Sequence, residues 1–244
     1  MNTKKVTLVT GAASGIGRAT ALKLAERGDQ LVCTDFASAQ LQEMKDLTGG
    51  ICIAADVTNE SEVDALIAAT IAEYGRLDGV VHCAGIEESF VDARDMTLEV
   101  FEKTMRVNVT GSFLVARAAG RVMVPKASGS IVLMGSILST VGYGGNAAYT
   151  ASKGAVLQLG RALAVDWSKF GVRINVVGPG PVATPMSQAS IDDPVRGAWL
   201  RERIPLGRPA STDDIAGVCA FLLSDEASYI TGTYLPVDGG WLAL

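Results

Sequence analysis

Val6-Thr-Leu-Val-Thr-Gly-Ala-Ala-Ser-Gly-Ile-Gly17 decides the architecture of this chain. Val6 to Thr10 is a short β-rich run, a glycine loop follows, and Arg18 to Arg27 reads as a helix closed by Gly28. Gly11, Gly15 and Gly17 make the pattern G-x-x-x-G-x-G, with Ser14 and Ile16 set between them. Absent side chains let the backbone approach a pyrophosphate, and the helix behind the loop offers it free N–H groups. The spacing departs from G-x-G-x-x-G, and no Lys-Ser/Thr pair follows, as a nucleoside triphosphate loop would require.

The next run, Leu31-Val-Cys-Thr-Asp35, is a buried-strand pattern ending in an acid 18 residues past Gly17. That is where a carboxylate grips ribose hydroxyls. The same carboxylate repels a 2′-phosphate: like charges at about 4 Å cost up to roughly 4 kcal/mol at an effective dielectric of 20. Phe36 follows, and no basic residue stands in its place. The pattern therefore favours NAD over NADP. Arg18 is the nearby cation, and its helical position suits a surface role.

The alternation continues. Ile51 to Ala55 reads as a strand ending at Asp56-Val57, a carboxylate and a small apolar residue suited to flank adenine. A helix from Glu60 to Tyr74 comes next, then a fourth strand, Leu77 to Cys83, followed by Ala84-Gly85. Strands alternating with helices imply an α/β, doubly wound parallel sheet with right-handed crossovers. Ligands of such a sheet lie at the strand C-terminal ends, so Gly11, Asp35, Asp56, Gly85 and Ser136 would share one edge.

Thr97 to Val124 reads as a long helix interrupted at Asn108-Val-Thr-Gly111, where freed backbone groups would hold water. The strand Ser130 to Gly135 follows. The helix Ala148 to Phe170 carries Val156, Leu159, Leu163 and Trp167 as a core or interface stripe. Val172 to Val177 is a strand ending in Gly178-Pro179-Gly180-Pro181-Val182, a rigid turn suited to support one face of a nicotinamide ring. Thr184 to Arg208 is the least regular region, with Pro185, Pro194 and Pro205, and reads as a mobile lid carrying Met186, Arg196, Trp199, Arg201 and Arg203. Of two readings for these arginines, solvent-facing charges on a short helix is expected over contacts to an anionic substrate. Ser211-Thr-Asp-Asp214 opens a capped helix to Leu223, and Tyr234 to Val237 is the last strand.

Chemistry concentrates in Ser136-Ile-Leu-Ser-Thr-Val-Gly-Tyr-Gly-Gly-Asn-Ala-Ala-Tyr149-Thr-Ala-Ser-Lys153. The step from Tyr149 to Lys153 places a phenol and an ammonium on one helix face. Free tyrosine, with a pKa of about 10, is a poor base near neutrality. A neighbouring cation should lower that value, letting the phenol exchange a proton with an alcohol or carbonyl oxygen. Ser136 arrives from the end of the Ile131-Val-Leu-Met134 run to hold the same oxygen.

Composition excludes other classes. A net charge of -5 and no Lys/Arg run argue against nucleic acid. The apolar run after Lys4 and Lys5 is interrupted by Gly11 before a signal-peptide core or a spanning helix could form, so no membrane role and a cytoplasmic location are expected. Cys33, Cys52, Cys83 and Cys219 are scattered without C-x-x-C and read as buried free thiols, so no metal site is expected. His82, the only histidine, lies in an apolar run and reads as structural, which disfavours Ser-His-Asp and Cys-His hydrolase schemes.

Taken together, Thr10-Gly11-x-x-x-Gly15-x-Gly17, Asp56-Val57, Ala84-Gly85, Asn108, Ser136, Tyr149-x-x-x-Lys153 and Pro179-Gly180 followed by Thr184 resemble the short-chain dehydrogenase/reductase family over essentially the whole chain. The resemblance implies one Rossmann-type domain over residues 1–244, with a seven-stranded parallel sheet and a substrate lid at about 185–208. It implies Tyr149 as acid/base, Ser136 positioning the substrate oxygen, Lys153 holding the nicotinamide ribose and lowering the tyrosine pKa, and Asn108 holding a relay water. Thr184 would bind the carboxamide. The nucleotide would rest on the loop and strand-end residues already named, including Cys83. Substrate would meet Ser136, Leu138, Tyr149, Met186 and Trp199, within walls supplied by Glu87 to Arg94, Leu138 to Asn146 and the lid. A homotetramer built by the two long helices and the last strand is the family expectation. The expected activity is NAD-dependent hydride transfer with a small secondary alcohol: a polyol, sugar, cyclic alcohol or hydroxyacid derivative. A 3-oxoacyl thioester reductase and a non-catalytic NAD-binding sensor are the alternatives. His82-Cys83-Ala84-Gly85 departs from the family's Asn-Asn-Ala-Gly, which loses a side chain that tethers neighbouring backbone.

Overall fold

The computed structural model describes residues 4–36, 38–87 and 90–244. Residues 1–3 of the N-terminal stretch and Glu88 and Ser89 of the expected pocket wall lie outside the described residues. The elements alternate along the chain: β1 (Val6–Thr10), α1 (Gly15–Arg27), β2 (Gln30–Asp35), α2 (Ala39–Thr48), β3 (Ile51–Ala54), α3 (Glu60–Tyr74) and β4 (Gly79–His82). They continue as α4 (Leu98–Met105), α5 (Gly111–Met123), β5 (Gly129–Met134), α6 (Ala147–Trp167) and β6 (Val172–Pro179). Last come α7 (Gln188–Asp192), α8 (Pro194–Arg203), α9 (Thr212–Leu223) and β7 (Tyr234–Val237).

The strands form one sheet in the order β3-β2-β1-β4-β5-β6-β7, and every pair is parallel. The order reverses direction between β1 and β4, so the crevice of a doubly wound sheet opens where the loops after those strands diverge. Side-chain alternation splits the core into two layers. Leu8, Val80, Ile131 and Ile174 pack under α3, α5 and α6, whereas Val9, Val81, Val132 and Val177 pack under α1, α2 and α9.

Several sequence expectations shift. The α1 helix begins at Gly15, inside the glycine loop, and closes on Gly28 in the left-handed conformation as expected. The α2 helix lies between Asp35 and Ile51, where no element was expected; Ser38 caps it by accepting from the Leu41 N–H. The interruption after Met105 is a π-helical turn, Arg106–Thr110, that joins α4 to α5 without a break. Residues 184–208 are more regular than their prolines suggested. Pro194 starts α8 at a position that needs no N–H, and Asp193 caps it.

Candidate active site

The π-helical turn rotates Asn108 into the protein, where it is buried. Its side-chain oxygen accepts from the Ile86 N–H at 2.8 Å, while its amide donates to the Ile86 carbonyl and to Ser152 Oγ, each at 2.9 Å. Asn108 thereby pins the loop after β4 to α6. Its own carbonyl accepts from Ser112 Oγ at 2.6 Å. Among the expected catalytic residues, Asn108 stands behind the cleft wall, whereas Ser136, Tyr149 and Lys153 line one cavity of about 500 Å³.

Ser136 is held on every side. Its N–H donates to Ser139 Oγ at 3.2 Å, its carbonyl accepts from Tyr234 Oη at 2.7 Å, and its Oγ accepts from the Leu138 N–H at 3.1 Å. Ser139 Oγ also donates to the Lys153 carbonyl at 2.8 Å, tying the Ser136 segment to the helix that carries the phenol and the ammonium. Ser139 and Tyr234 were not singled out by sequence. A Ser three residues past Ser136 is a recognisable capping pattern, but nothing local ties Tyr234, 98 positions away, to this site.

Lys153 is buried; its Nζ donates to the Met134 carbonyl at 2.9 Å and lies 5.3 Å from the Tyr149 ring centroid. Burial pulls its pKa down from 10.5 to about 8, with Cys83 and Glu87 acting against that fall. The Tyr149 phenol moves opposite to the sequence expectation. Burial raises it above its ordinary value, the Glu87 charge adds to the rise, and only the Ser136 hydroxyl acts to lower it. Desolvation disfavours the charged phenolate, which is why burial raises the phenol. Glu87 lines the same cavity and accepts from Asn146 Nδ2 at 2.5 Å.

The expected nucleotide residues Gly11, Ser14, Gly15, Ile16, Gly17, Asp35, Phe36, Asp56, Val57, Cys83, Ala84 and Gly85 all line a second cavity of about 350 Å³. Pro179, Gly180, Val182 and Thr184 line the first. The two share Ile16, Cys83, Gly85, Thr184 and Met186, so they are halves of one cleft. A dinucleotide fits the residues present. Gly11 has φ +65, and a Cβ there would press on the Ala84 nitrogen; a Cβ at Gly17 would overlap the Gly11 carbonyl. The backbone must therefore come close at these positions. Ser14 makes no side-chain capping bond at the start of α1, which leaves first-turn N–H groups for an anion. The Asp35 carboxylate accepts from the Ala13 N–H at 3.0 Å and the Phe36 N–H at 2.8 Å, shaping the loop while it lines the cavity. Asp56 closes a turn by accepting from the Thr58 N–H.

The substrate half contains Leu138 and Met186 as expected, but not Trp199. Trp199 is exposed on α8, tilted against Tyr143 at 6.1 Å and edge-on to Trp241 at 5.5 Å, behind two aromatic residues that line the cavity in its place. Helical geometry explains the exchange, since Arg196 and Leu200 are the α8 side chains that line the cavity. Arg18 pairs with Glu43 on the surface. His82 is buried, its Nδ1 lies 2.9 Å from Thr10 Oγ1, and burial lowers its pKa to about 3, so it stays neutral and structural. The four cysteines are free thiols; Cys33 and Cys219 are buried and raised to about 12, whereas Cys52 and Cys83 are only half-buried. Among the described residues, no acidic, Cys or His group is placed to hold a metal, and no helix is long and apolar enough to cross a membrane.

Comparison with known proteins matches residues 11–242 to the family model described as enoyl-(acyl carrier protein) reductase. D-threitol dehydrogenase of Mycolicibacterium smegmatis is 37% identical over 97% of this chain and 92% of its own. The 3-oxoacyl-[acyl-carrier-protein] reductase of Escherichia coli is 36% identical over 97% of this chain and 96% of its own. The crystal structure of levodione reductase superimposes with a TM-score of 0.94 at 34% identity, covering 98% of both chains.

Proposed function

The chain belongs to the short-chain dehydrogenase/reductase family and is an oxidoreductase of CH–OH groups and their ketones, and from that premise we propose an NAD-dependent dehydrogenase of small secondary alcohols. The observation that carries this reading is one cleft in which Ser136, Tyr149 and Lys153 face the substrate half and Asp35 faces the nucleotide half. The Asp35 carboxylate favours ribose hydroxyls and repels a 2′-phosphate. Similarity to a threitol dehydrogenase supports a polyol or sugar, and Glu87 supplies an acceptor for a second substrate hydroxyl.

In this reading Ser136 Oγ and Tyr149 Oη hold the substrate oxygen together, and Tyr149 moves the proton. In reduction the neutral phenol donates to the carbonyl oxygen as alkoxide character develops. In oxidation the phenolate, its charge offset by the Lys153 ammonium, takes the hydroxyl proton and becomes the neutral phenol. The glycine loop, Asp35, Lys153 and Thr184 would hold NAD, which when bound would supply or accept the hydride. Asn108 acts from behind the wall by fixing the Ile86 loop against α6 and, through its carbonyl, by holding a relay water. Residues 185–208 cover the substrate, and the whole chain works as one dinucleotide-binding and catalytic unit. Exposed Phe113 on α5 and Val165 on α6 support assembly as a homotetramer.

A carrier-linked 3-oxoacyl substrate is the second reading, favoured by the family model and by the 36% identity to the Escherichia coli reductase. A panel of polyols, sugars, cyclic alcohols and hydroxyacyl thioesters, assayed with NAD and NADP in parallel, separates the two. NAD-linked turnover of the free alcohols supports the first reading; turnover of thioesters alone, or with NADP alone, overturns it. A pure NAD sensor would turn over nothing while binding the nucleotide.

A further inference from the structure

Arg196 departs from the solvent-facing role that sequence assigned to the lid arginines. It lines the substrate half of the cleft, whereas Arg201 and Arg203 are exposed and do not. Its guanidinium carbon lies 3.8 Å from the Phe90 ring centroid and 5.9 Å from that of Tyr143, two aromatic residues of the same cavity. Among the described residues Arg196 makes no ion pair and no side-chain hydrogen bond, and its Nε is buried without a partner.

Aromatic faces support the flat of a guanidinium and use none of its in-plane N–H donors. The stack therefore orients the fork and leaves its hydrogen-bonding capacity unspent. Glu87, which lines the same cavity, accepts from Asn146 and makes no ion pair with Arg196. A planar cation fixed at a cavity wall, its Nε buried and its fork unpaired among the described residues, matches a planar anion with two acceptor oxygens.

We propose that Arg196 anchors a carboxylate on the substrate, so that the enzyme acts on hydroxy acids or keto acids whose reacting carbon reaches Ser136 and Tyr149 while the carboxylate meets α8. The proposal deepens the dehydrogenase reading and rests on it. Because Arg196 belongs to the lid, the substrate's own charge engages the segment that covers it. A purely structural arginine that only fastens α8 to Phe90 would affect charged and neutral ligands alike.

The test measures gluconate against sorbitol, and hydroxycyclohexanecarboxylate against cyclohexanol, in two ways. Turnover is followed in the wild type with NAD. Binding is followed by calorimetry with NAD present, in Tyr149→Phe, where turnover does not interfere. At least one carboxylate is expected to bind about tenfold or more tightly than its neutral partner, as a charge-assisted pair would give. Arg196→Gln should remove that preference without lowering the melting temperature, and Arg196→Lys should restore part of it. Equal binding of both members of each pair, or an equal loss for both in Arg196→Gln, overturns the proposal. Carboxylate-selective binding without hydride transfer would instead sink the dehydrogenase reading and leave the anchor standing.

Discussion

Ser139→Ala removes one oxygen that performs two tasks. It accepts the Ser136 N–H at 3.2 Å and donates to the Lys153 carbonyl at 2.8 Å. The Lys153 carbonyl lies inside α6 and keeps its helical role, but the Ser136 N–H loses its partner where the Ser136 residue is buried. An orphaned buried donor costs about 1–3 kcal/mol. At about 2–4 °C per kcal/mol for a chain of this size, the melting temperature should fall by roughly 2–12 °C. The kinetic effect should be larger in proportion. Ser136 then keeps its Tyr234, Leu138 and Ser139-backbone contacts but loses the side-chain tie to α6, and a shift of about 1 Å in a positioned group costs on the order of a hundredfold. We expect kcat to fall ten- to a hundredfold, approximately, on the best alcohol substrate, with NAD affinity unchanged, and Ser139→Thr to recover much of the rate. Steady-state kinetics, cofactor titration and thermal unfolding of the three proteins make the comparison. A Ser139→Ala enzyme with wild-type kcat would refute the claim that Ser139 registers Ser136 against α6.

Gly178→Ala should act on the same network from behind, because a Cβ there would overlap the Tyr234 ring that holds the Ser136 carbonyl; kinetics should show a large loss of kcat, and Tyr234→Phe a smaller one. Asp35→Ala combined with Phe36→Arg should move preference toward NADP, and unchanged selectivity in paired kcat/KM measurements would show that Asp35 does not face the ribose. Lys153 sets a pH dependence: with its folded pKa at about 8 and its ordinary value at 10.5, the unfolded chain binds the extra proton between them. Its contribution to stability is therefore lowest below about pH 8 and rises as pH increases toward 10.5. Urea unfolding of the wild type and Lys153→Met at neutral and alkaline pH should show the wild type gaining stability relative to the variant as pH rises.

Much of the fold was legible because its signals are local. Val6–Thr10, the left-handed Gly28 stop, the Asn59-capped α3 and the Ser211-capped α9 each carry their cause within a few residues. The α2 helix was missed because its start is marked only by Ser38, a cap that shows once the turn is formed. The Thr97–Val124 interruption was placed correctly, but Asn and Gly propensities do not distinguish a break from a π turn. Most cleft residues were found because nucleotide chemistry imposes short motifs on strand ends. Trp199 was misplaced and Trp241 overlooked because which indole faces inward depends on how α8 packs against the C-terminal turn, a long-range fact. The direction of the Tyr149 shift failed for a related reason. Spacing shows a neighbouring ammonium, whereas burial and Glu87, which raise the phenol, are properties of the folded cleft.

The central claim is that Tyr149 moves the proton while the rest of the cleft holds the reactants. It is tested most directly by comparing wild type and Tyr149→Phe for formation of reduced nicotinamide from the best alcohol, together with NAD affinity of each. The account predicts that turnover falls by at least about a hundredfold, within the range that acid–base catalysis supplies, while NAD binds within about twofold of wild type. Turnover by Tyr149→Phe at the wild-type rate would contradict it.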